Sequence, residues 1–224
     1  MRVFFIPGLG EEKFIFDKIE NVIAGEKIFL DNWTLLSEVP EKDLTTLVYA
    51  THLVKRFGIK AEDVVIGHSL GAWVALWIKE VVGCKIVQIA GWTDRKKVIK
   101  VLPNLNLLYW FAKKGWGFNR FVRFLLSLLY YKQPSKHVLL TIFDKLERSD
   151  KSIVAKQLMV VYNPISQPPS VIPDLRIHSK TDIIVNAPDE PFAIMKGDHF
   201  GLYTFPDSVY TPIKQFLKQQ KDGS

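Results

Sequence analysis

The sequence predicts an α/β protein with a mostly parallel sheet flanked by helices on both faces. Three observations carry this. Short apolar runs recur without the polar alternation of a half-exposed sheet, as strands covered on both faces require. Helical patterns separate most of these runs by short connections, the mark of a wound sheet. One run ends in Gly67-His68-Ser69-Leu70-Gly71, directly before a strong helical pattern.

In chain order, the expected strands are "RVFFI" (2–6), "KIFLD" (27–31), "DVVIG" (63–67), "KIVQIA" (85–90), "LRIHS" (175–179) and "PFAIM" (191–195). Helices are expected over Phe14–Ile23, Glu41–Phe57, Leu70–Val82 and Ser208–Gln220. In the second, Leu44, Leu47, Val48, Leu53 and Val54 favour one side. The alternation stops after Ala90, and roughly 80 residues intervene before the next strand. That stretch reads as a mostly helical insertion. "FVRFLLSLLYY" (121–131) is apolar nearly all round, and "KHVLLTIFDKLERSD" (136–150) is an ordinary amphipathic helix. The proline-rich "NPISQPPSVIPD" (163–174) leads back to the sheet.

The chain of 224 residues fits one domain with an insertion. Its single cysteine, Cys84, excludes an internal disulfide framework and suits a reducing compartment, so the expected location is the cytoplasm. Only four consecutive apolar residues, Val3 to Ile6, precede Pro7, too few for a secretory signal, and no run approaches a bilayer span. Positive charge is concentrated: Arg95 to Asp150 holds 12 Lys+Arg against 3 Asp+Glu, while the whole chain is only +7. Such a segment could serve an anionic membrane surface, an acidic substrate or nucleic acid. No nucleic-acid motif accompanies it, so nucleic acid is not an expected partner.

The stretch Gly67 to Gly71 fits G-x-S-x-G. A sharp strand-to-helix turn strains its central residue and brings backbone against both flanking positions, which must therefore lack a Cβ. The turn holds the Ser69 hydroxyl clear of the sheet, with the next N–H at a helix start, able to stabilise an oxyanion. A serine nucleophile also needs a base, and the base an orienting acid. "KGDHFG" (196–201) places His199 in a loop after the last expected strand, and "IHSKTDIIV" (177–185) places Asp182 after the preceding one. A parallel sheet brings all three to one carboxyl edge. Blander roles exist for each: Ser69 as a helix cap, His199 as a surface loop residue, Asp182 as a turn former with Asp94 as its substitute. Asp189 and Asp198 read as solvated loop charges, His52, His137 and His178 as structural, and His68 as packed beside the elbow. No His/Cys spacing suggests a metal site.

Over nearly its whole length this layout resembles the α/β-hydrolase superfamily. "VFFIPGLG" looks like its first core strand and oxyanion loop, "GHSLG" its nucleophile elbow, "HSKTDIIV" its acid loop and "GDHF" its histidine loop. The resemblance implies Ser69 as nucleophile, His199 as general base, Asp182 as acid, and the backbone N–H groups of Leu9 and Leu70 as oxyanion donors. It implies no cofactor. Two features depart from the family: Pro7-Gly8 replaces a frequent His-Gly, and two leading antiparallel strands are missing, leaving a trimmed core. Residues 1–91 and 172–224 would form that core, and 92–171 a helical cap with its return linker.

The expected reaction is hydrolysis of an ester or thioester with an apolar acyl or alcohol part, through an acyl-enzyme. A non-catalytic small-molecule binding protein or an acyltransferase on the same scaffold is the alternative. A dinucleotide-binding reading of Gly8-Leu9-Gly10 with Asp31 fails, because Lys13 stands where the third glycine belongs and Glu11 and Glu12 would face the pyrophosphate. In the insertion, Trp110, Phe111, Trp116, Phe118, Phe121 and Phe124 alternate with Lys113, Lys114, Arg120 and Arg123. They suit an apolar pocket over Ser69, an anionic membrane contact, or a packed cap with a solvated basic face.

Overall fold

Strand β1 (Arg2–Ile6) lies inside a six-stranded sheet with β2 (Glu26–Phe29), β3 (Val64–His68), β4 (Lys85–Ile89), β5 (Leu175–His178) and β6 (Ala193–Ile194). The structure, a computed structural model, describes residues 1–99 and 102–222; Lys100 and Val101, inside the expected insertion, lie outside the described residues. The order is β2-β1-β3-β4-β5-β6, and every pairing is parallel. Side chains alternate between two cores. Phe4, Ile6, Val65 and Ile86 enter one, while Val3, Phe5, Val64, Ile66, Val87 and Ile89 enter the other. Because both faces are covered, the two-residue period is invisible in the sequence, which reads as continuous apolar runs.

Helices α2 (Thr46–Phe57) and α3 (Leu70–Val82) cover the first face and α9 (Asp207–Asp222) the second; α1 (Asn32–Leu35) and α8 (Gly201–Thr204) are single turns. Helix α3 is buried throughout Leu70–Ile78, which fits its uninterrupted apolar sequence. Helix α2 starts later than the expected Glu41, because the Thr45 side chain caps it by accepting the Val48 N–H at 3.2 Å. The expected helix over Phe14–Ile23 does not form. Two 3-10 turns, Lys13–Phe16 and Glu20–Val22, replace it, with bonds such as Ile19 N–H to the Phe16 carbonyl. Its β-branched and aromatic residues favour a helix weakly, and burial of Ile15, Phe16, Ile19 and Ile23 needs only the turns. The expected strand over 191–195 shortens to Ala193–Ile194 at the sheet edge, where Pro191 has no N–H to donate.

Between β4 and β5 stand α4 (Leu105–Lys114), α5 (Arg120–Leu129), α6 (Lys136–Arg148) and α7 (Lys151–Tyr162). Helix α7 is fastened to the sheet domain. Lys156 Nζ donates to the carbonyls of Leu36 at 2.9 Å and Val39 at 2.6 Å, and the buried Thr46 hydroxyl donates to Val160. Helix α5 is the opposite case, with none of its residues buried. Among the described residues no helix is long and apolar enough to cross a membrane.

Candidate active site

Strand β1 has β2 on one side and β3 on the other, so the loops leaving β1 and β3 diverge at a switch point and open a crevice at the carboxyl edge. Ser69 stands in that crevice with φ 52° and ψ −117°, a strained conformation for a side-chain-bearing residue. The flanking glycines are obligatory: a Cβ on Gly67 would strike the Gly71 carbonyl, and one on Gly71 the Ile6 carbonyl. Ser69 occupies the N-cap position of α3, yet its side chain caps nothing. Helix capping therefore does not explain a serine there.

The other two loops meet. His199 Nδ1 lies 2.7 Å from Asp182 Oδ2, and both side chains are almost completely buried. Asp182 Oδ1 accepts the N–H groups of Ile184 at 2.8 Å and Val185 at 2.9 Å, so Asp182 is a turn former and the histidine's partner at once. Burial would raise the Asp182 pKa, but the charge and hydrogen bond of His199 and these two N–H groups hold it below the ordinary value. Burial likewise disfavours imidazolium at His199. The Asp182 charge and hydrogen bond, with Glu11 and Asp198 adding to them, win there and raise its pKa. A carboxylate on Nδ1 fixes the proton there and leaves Nε2 as the free base. Asp94, the substitute acid, is exposed and only caps a 3-10 turn through the Lys96 N–H.

Ser69 and His199 line one cavity. Among the described residues no hydrogen bond joins the Ser69 hydroxyl to His199; unliganded serine sites commonly show a looser contact that tightens on substrate. The N–H groups of the oxyanion loop are accounted for in turn. Gly8 N–H donates to Glu11 Oε2 at 2.5 Å, Gly10 N–H to Gln157 Oε1 of α7 at 2.8 Å, and Glu11 N–H to the Gly8 carbonyl at 3.3 Å. Among the described residues the Leu9 N–H has no acceptor, nor does that of Leu70, the first residue of α3. The resemblance to the α/β-hydrolases implied these two N–H groups as oxyanion donors.

Two buried acidic residues escaped the sequence reading. Glu11 accepts from His68 Nδ1 at 2.8 and 2.9 Å, while His68 Nε2 lies 3.0 Å from the His199 backbone oxygen. The signal was present, a carboxylate in the oxyanion loop and a histidine beside the nucleophile, but nothing local couples positions 57 residues apart. Asp198, expected to be solvated, is fully buried and accepts from the Ser135 N–H and hydroxyl, tying the approach to α6 to the histidine loop. His178 Nε2 lies 3.0 Å from the Val185 backbone oxygen and 3.6 Å from Asp182 Oδ2, His52 pairs with Glu38, and His137 packs against the Tyr203 ring. Among the described residues no group of three or more His, Cys, Asp or Glu could hold a metal ion.

The cavity is about 570 Å³ and almost wholly apolar, within the roughly 300–1,000 Å³ usual for small-molecule sites. Phe111, Val122, Leu126 and Phe143 of the inserted helices and Phe118 between α4 and α5 line it, together with the polar Ser69, Glu11 and His199.

The sequence matches no protein-family model and no curated protein. Solved structures do resemble it. A hydrolase from Oleispira antarctica is 15% identical, with a TM-score of 0.68, over 97% of this chain and 90% of that one. The peroxisomal α/β-hydrolase of Saccharomyces cerevisiae is 15% identical, with a TM-score of 0.59, over 97% of this chain and 75% of its own. A thermophilic esterase from Thermogutta terrifontis is 12% identical, with a TM-score of 0.57, over 98% and 90%. Identities this low speak for the backbone alone, and together with the parallel sheet and the strained turn at Ser69 they establish that this chain has the α/β-hydrolase fold.

Proposed function

We propose that the protein is a serine hydrolase that cleaves an ester or thioester with an apolar acyl or alcohol part. The observation that carries this is the Asp182–His199 pair opening onto the same apolar cavity as the strained Ser69. The Ser69 oxygen attacks the carbonyl carbon as its proton passes to His199 Nε2, and the Leu9 and Leu70 N–H groups hold the oxyanion. The alcohol or thiol leaves with that proton. Water, deprotonated by His199, then releases the acid and restores Ser69. No step calls on a cofactor.

Residues 92–171 act in this reading as the cap that shapes the acyl site, and their basic, aromatic surface meets an anionic membrane. The cytoplasm is the proposed location, on the strength of the lone, buried Cys84. Hydrolysis of p-nitrophenyl esters from acetyl to palmitoyl, with Ser69→Ala protein as the blank, tests the proposal. Turnover by the wild type alone is expected, with the preferred chain length reporting the depth of the cavity. Equal rates for both proteins would remove Ser69 from the chemistry.

A further inference from the structure

Helix α5 carries two apolar faces with different surroundings. Phe121, Phe124, Leu125, Leu128 and Leu129 fall at i, i+3, i+4, i+7 and i+8, the spacing of a stripe that ordinarily faces a core. Here the stripe faces outward: Phe121 is 68% exposed, Phe124 56%, Leu128 54% and Leu129 63%. None of the five lines the cavity. Val122 and Leu126, about a quarter to a third of a turn further round the helix, do line it. Arg120, Arg123 and Ser127 form the remaining polar edge. On that edge Arg123 is tied to Asp144 of α6 through Nε–Oδ1 at 2.5 Å and Nη2–Oδ2 at 3.1 Å, so the polar edge, not the outer stripe, meets α6 there.

The charge around this face selects its occupant. Between Asp94 and Asp144 the sequence has ten Lys or Arg and no Asp or Glu. Arg120 at the start of α5, Lys132 just beyond its end and Lys136 beside the exposed Tyr131 ring make no ion pair among the described residues. A second copy seated on the stripe through a two-fold axis would bring this unneutralised positive charge against itself. An anionic lipid interface takes up the apolar stripe and the basic rim together. Trp116, in the turn before α5, is 56% exposed and also lines the cavity, and exposed tryptophan suits a lipid interface.

We propose that α5 docks in the surface of an anionic bilayer and passes a bilayer-resident acyl ester along its inner edge to Ser69. The delivery rests on the proposed serine hydrolysis; the docking does not. The stripe enters the headgroup boundary, and the cavity wall formed by Val122 and Leu126 lies beside it on the same helix, so an acyl chain moves from lipid to cavity with little exposure to water.

Full-length Ser69→Ala protein, which removes turnover, is sedimented with vesicles of phosphatidylcholine alone or mixed with phosphatidylglycerol. Binding to the mixed vesicles is expected, and Phe124→Gln with Leu128→Gln should weaken it roughly tenfold or more. In the Ser69 protein the same double substitution should leave hydrolysis of soluble p-nitrophenyl acetate within about twofold and depress hydrolysis of an acyl ester embedded in mixed vesicles. Absence of sedimentation, equal binding to phosphatidylcholine alone, or binding indifferent to the double substitution overturns the proposal. So does a dimer in solution that the double substitution splits. Failure of the hydrolase reading shows separately, as vesicle binding by wild-type protein that hydrolyses neither ester, and it overturns the delivery.

Discussion

His68 directs its Nε2 at the backbone oxygen of His199, 3.0 Å away, and its Nδ1 at the Glu11 carboxylate. A carbonyl only accepts, so Nε2 carries a proton; Nδ1 against a carboxylate then requires a second proton, shared within the buried pair. Glu11 also holds the Gly8 N–H. This one pair therefore joins the oxyanion loop, the elbow and the histidine loop.

Glu11→Gln can keep every one of these bonds, its oxygen accepting from Gly8 and its amide donating to a neutral His68. Glu11→Ala strands His68 Nδ1 and the Gly8 N–H in a dry interior. The alanine variant should lose about 3–5 kcal/mol of unfolding free energy and the glutamine variant far less, read from urea melts. Equal losses in the two would mean that the glutamine amide does not replace the carboxylate, and that the pair depends on its charge.

The raised pKa of His199 sets the acid limb of the activity profile. The base must be neutral, so kcat/KM should fall as pH drops through a midpoint above the roughly 6.5 of free imidazole. Asp182→Asn leaves burial opposed only by the weaker Glu11 and Asp198 charges and should move that midpoint downward while lowering the rate. For stability the signs are opposite. The His199 contribution is present below its unfolded pKa and lost as pH rises through the folded one; that of Asp182 is present above its unfolded pKa and lost as pH falls through its depressed one. A flat rate from about pH 5 to 8 would exclude His199 as base.

Ser69 is held at positive φ, a conformation that costs a side-chain-bearing residue about 1–3 kcal/mol. Ser69→Ala should cut turnover roughly a thousandfold or more without changing the melting temperature appreciably. Ser69→Gly should be just as inactive yet melt higher, since glycine relieves the strain. A glycine variant that melts lower than the alanine variant would show that the turn is unstrained.

Cys84 is buried in the first core, and burial pushes its thiol up to about 12. It should resist maleimide at neutral pH and react only on unfolding in urea, as followed by mass spectrometry. Labelling at native rates without unfolding would show that the segment between α3 and β4 opens locally.

Much of the site was legible because its signals are local. The strand, the two glycines and the following helix around Ser69 occupy one short stretch, and backbone sterics alone demand them. The loops of Asp182 and His199 follow strands whose continuous apolar runs mark a sheet covered on both faces. The Phe14–Ile23 segment misled because its apolar spacing suits a helix while its residue types resist one.

The sequence by itself determined the sheet, the turn that presents Ser69 and the edge at which the three loops gather, since each follows from backbone geometry over a few residues. Only the tertiary structure decided that Glu11 pairs with His68, that Asp198 is buried under Ser135, and that α5 faces its apolar stripe outward. Those outcomes depend on which groups distant in sequence share a dry interior, and on whether an apolar face finds a neighbour. Periodicity shows that a face exists; packing alone says what it meets.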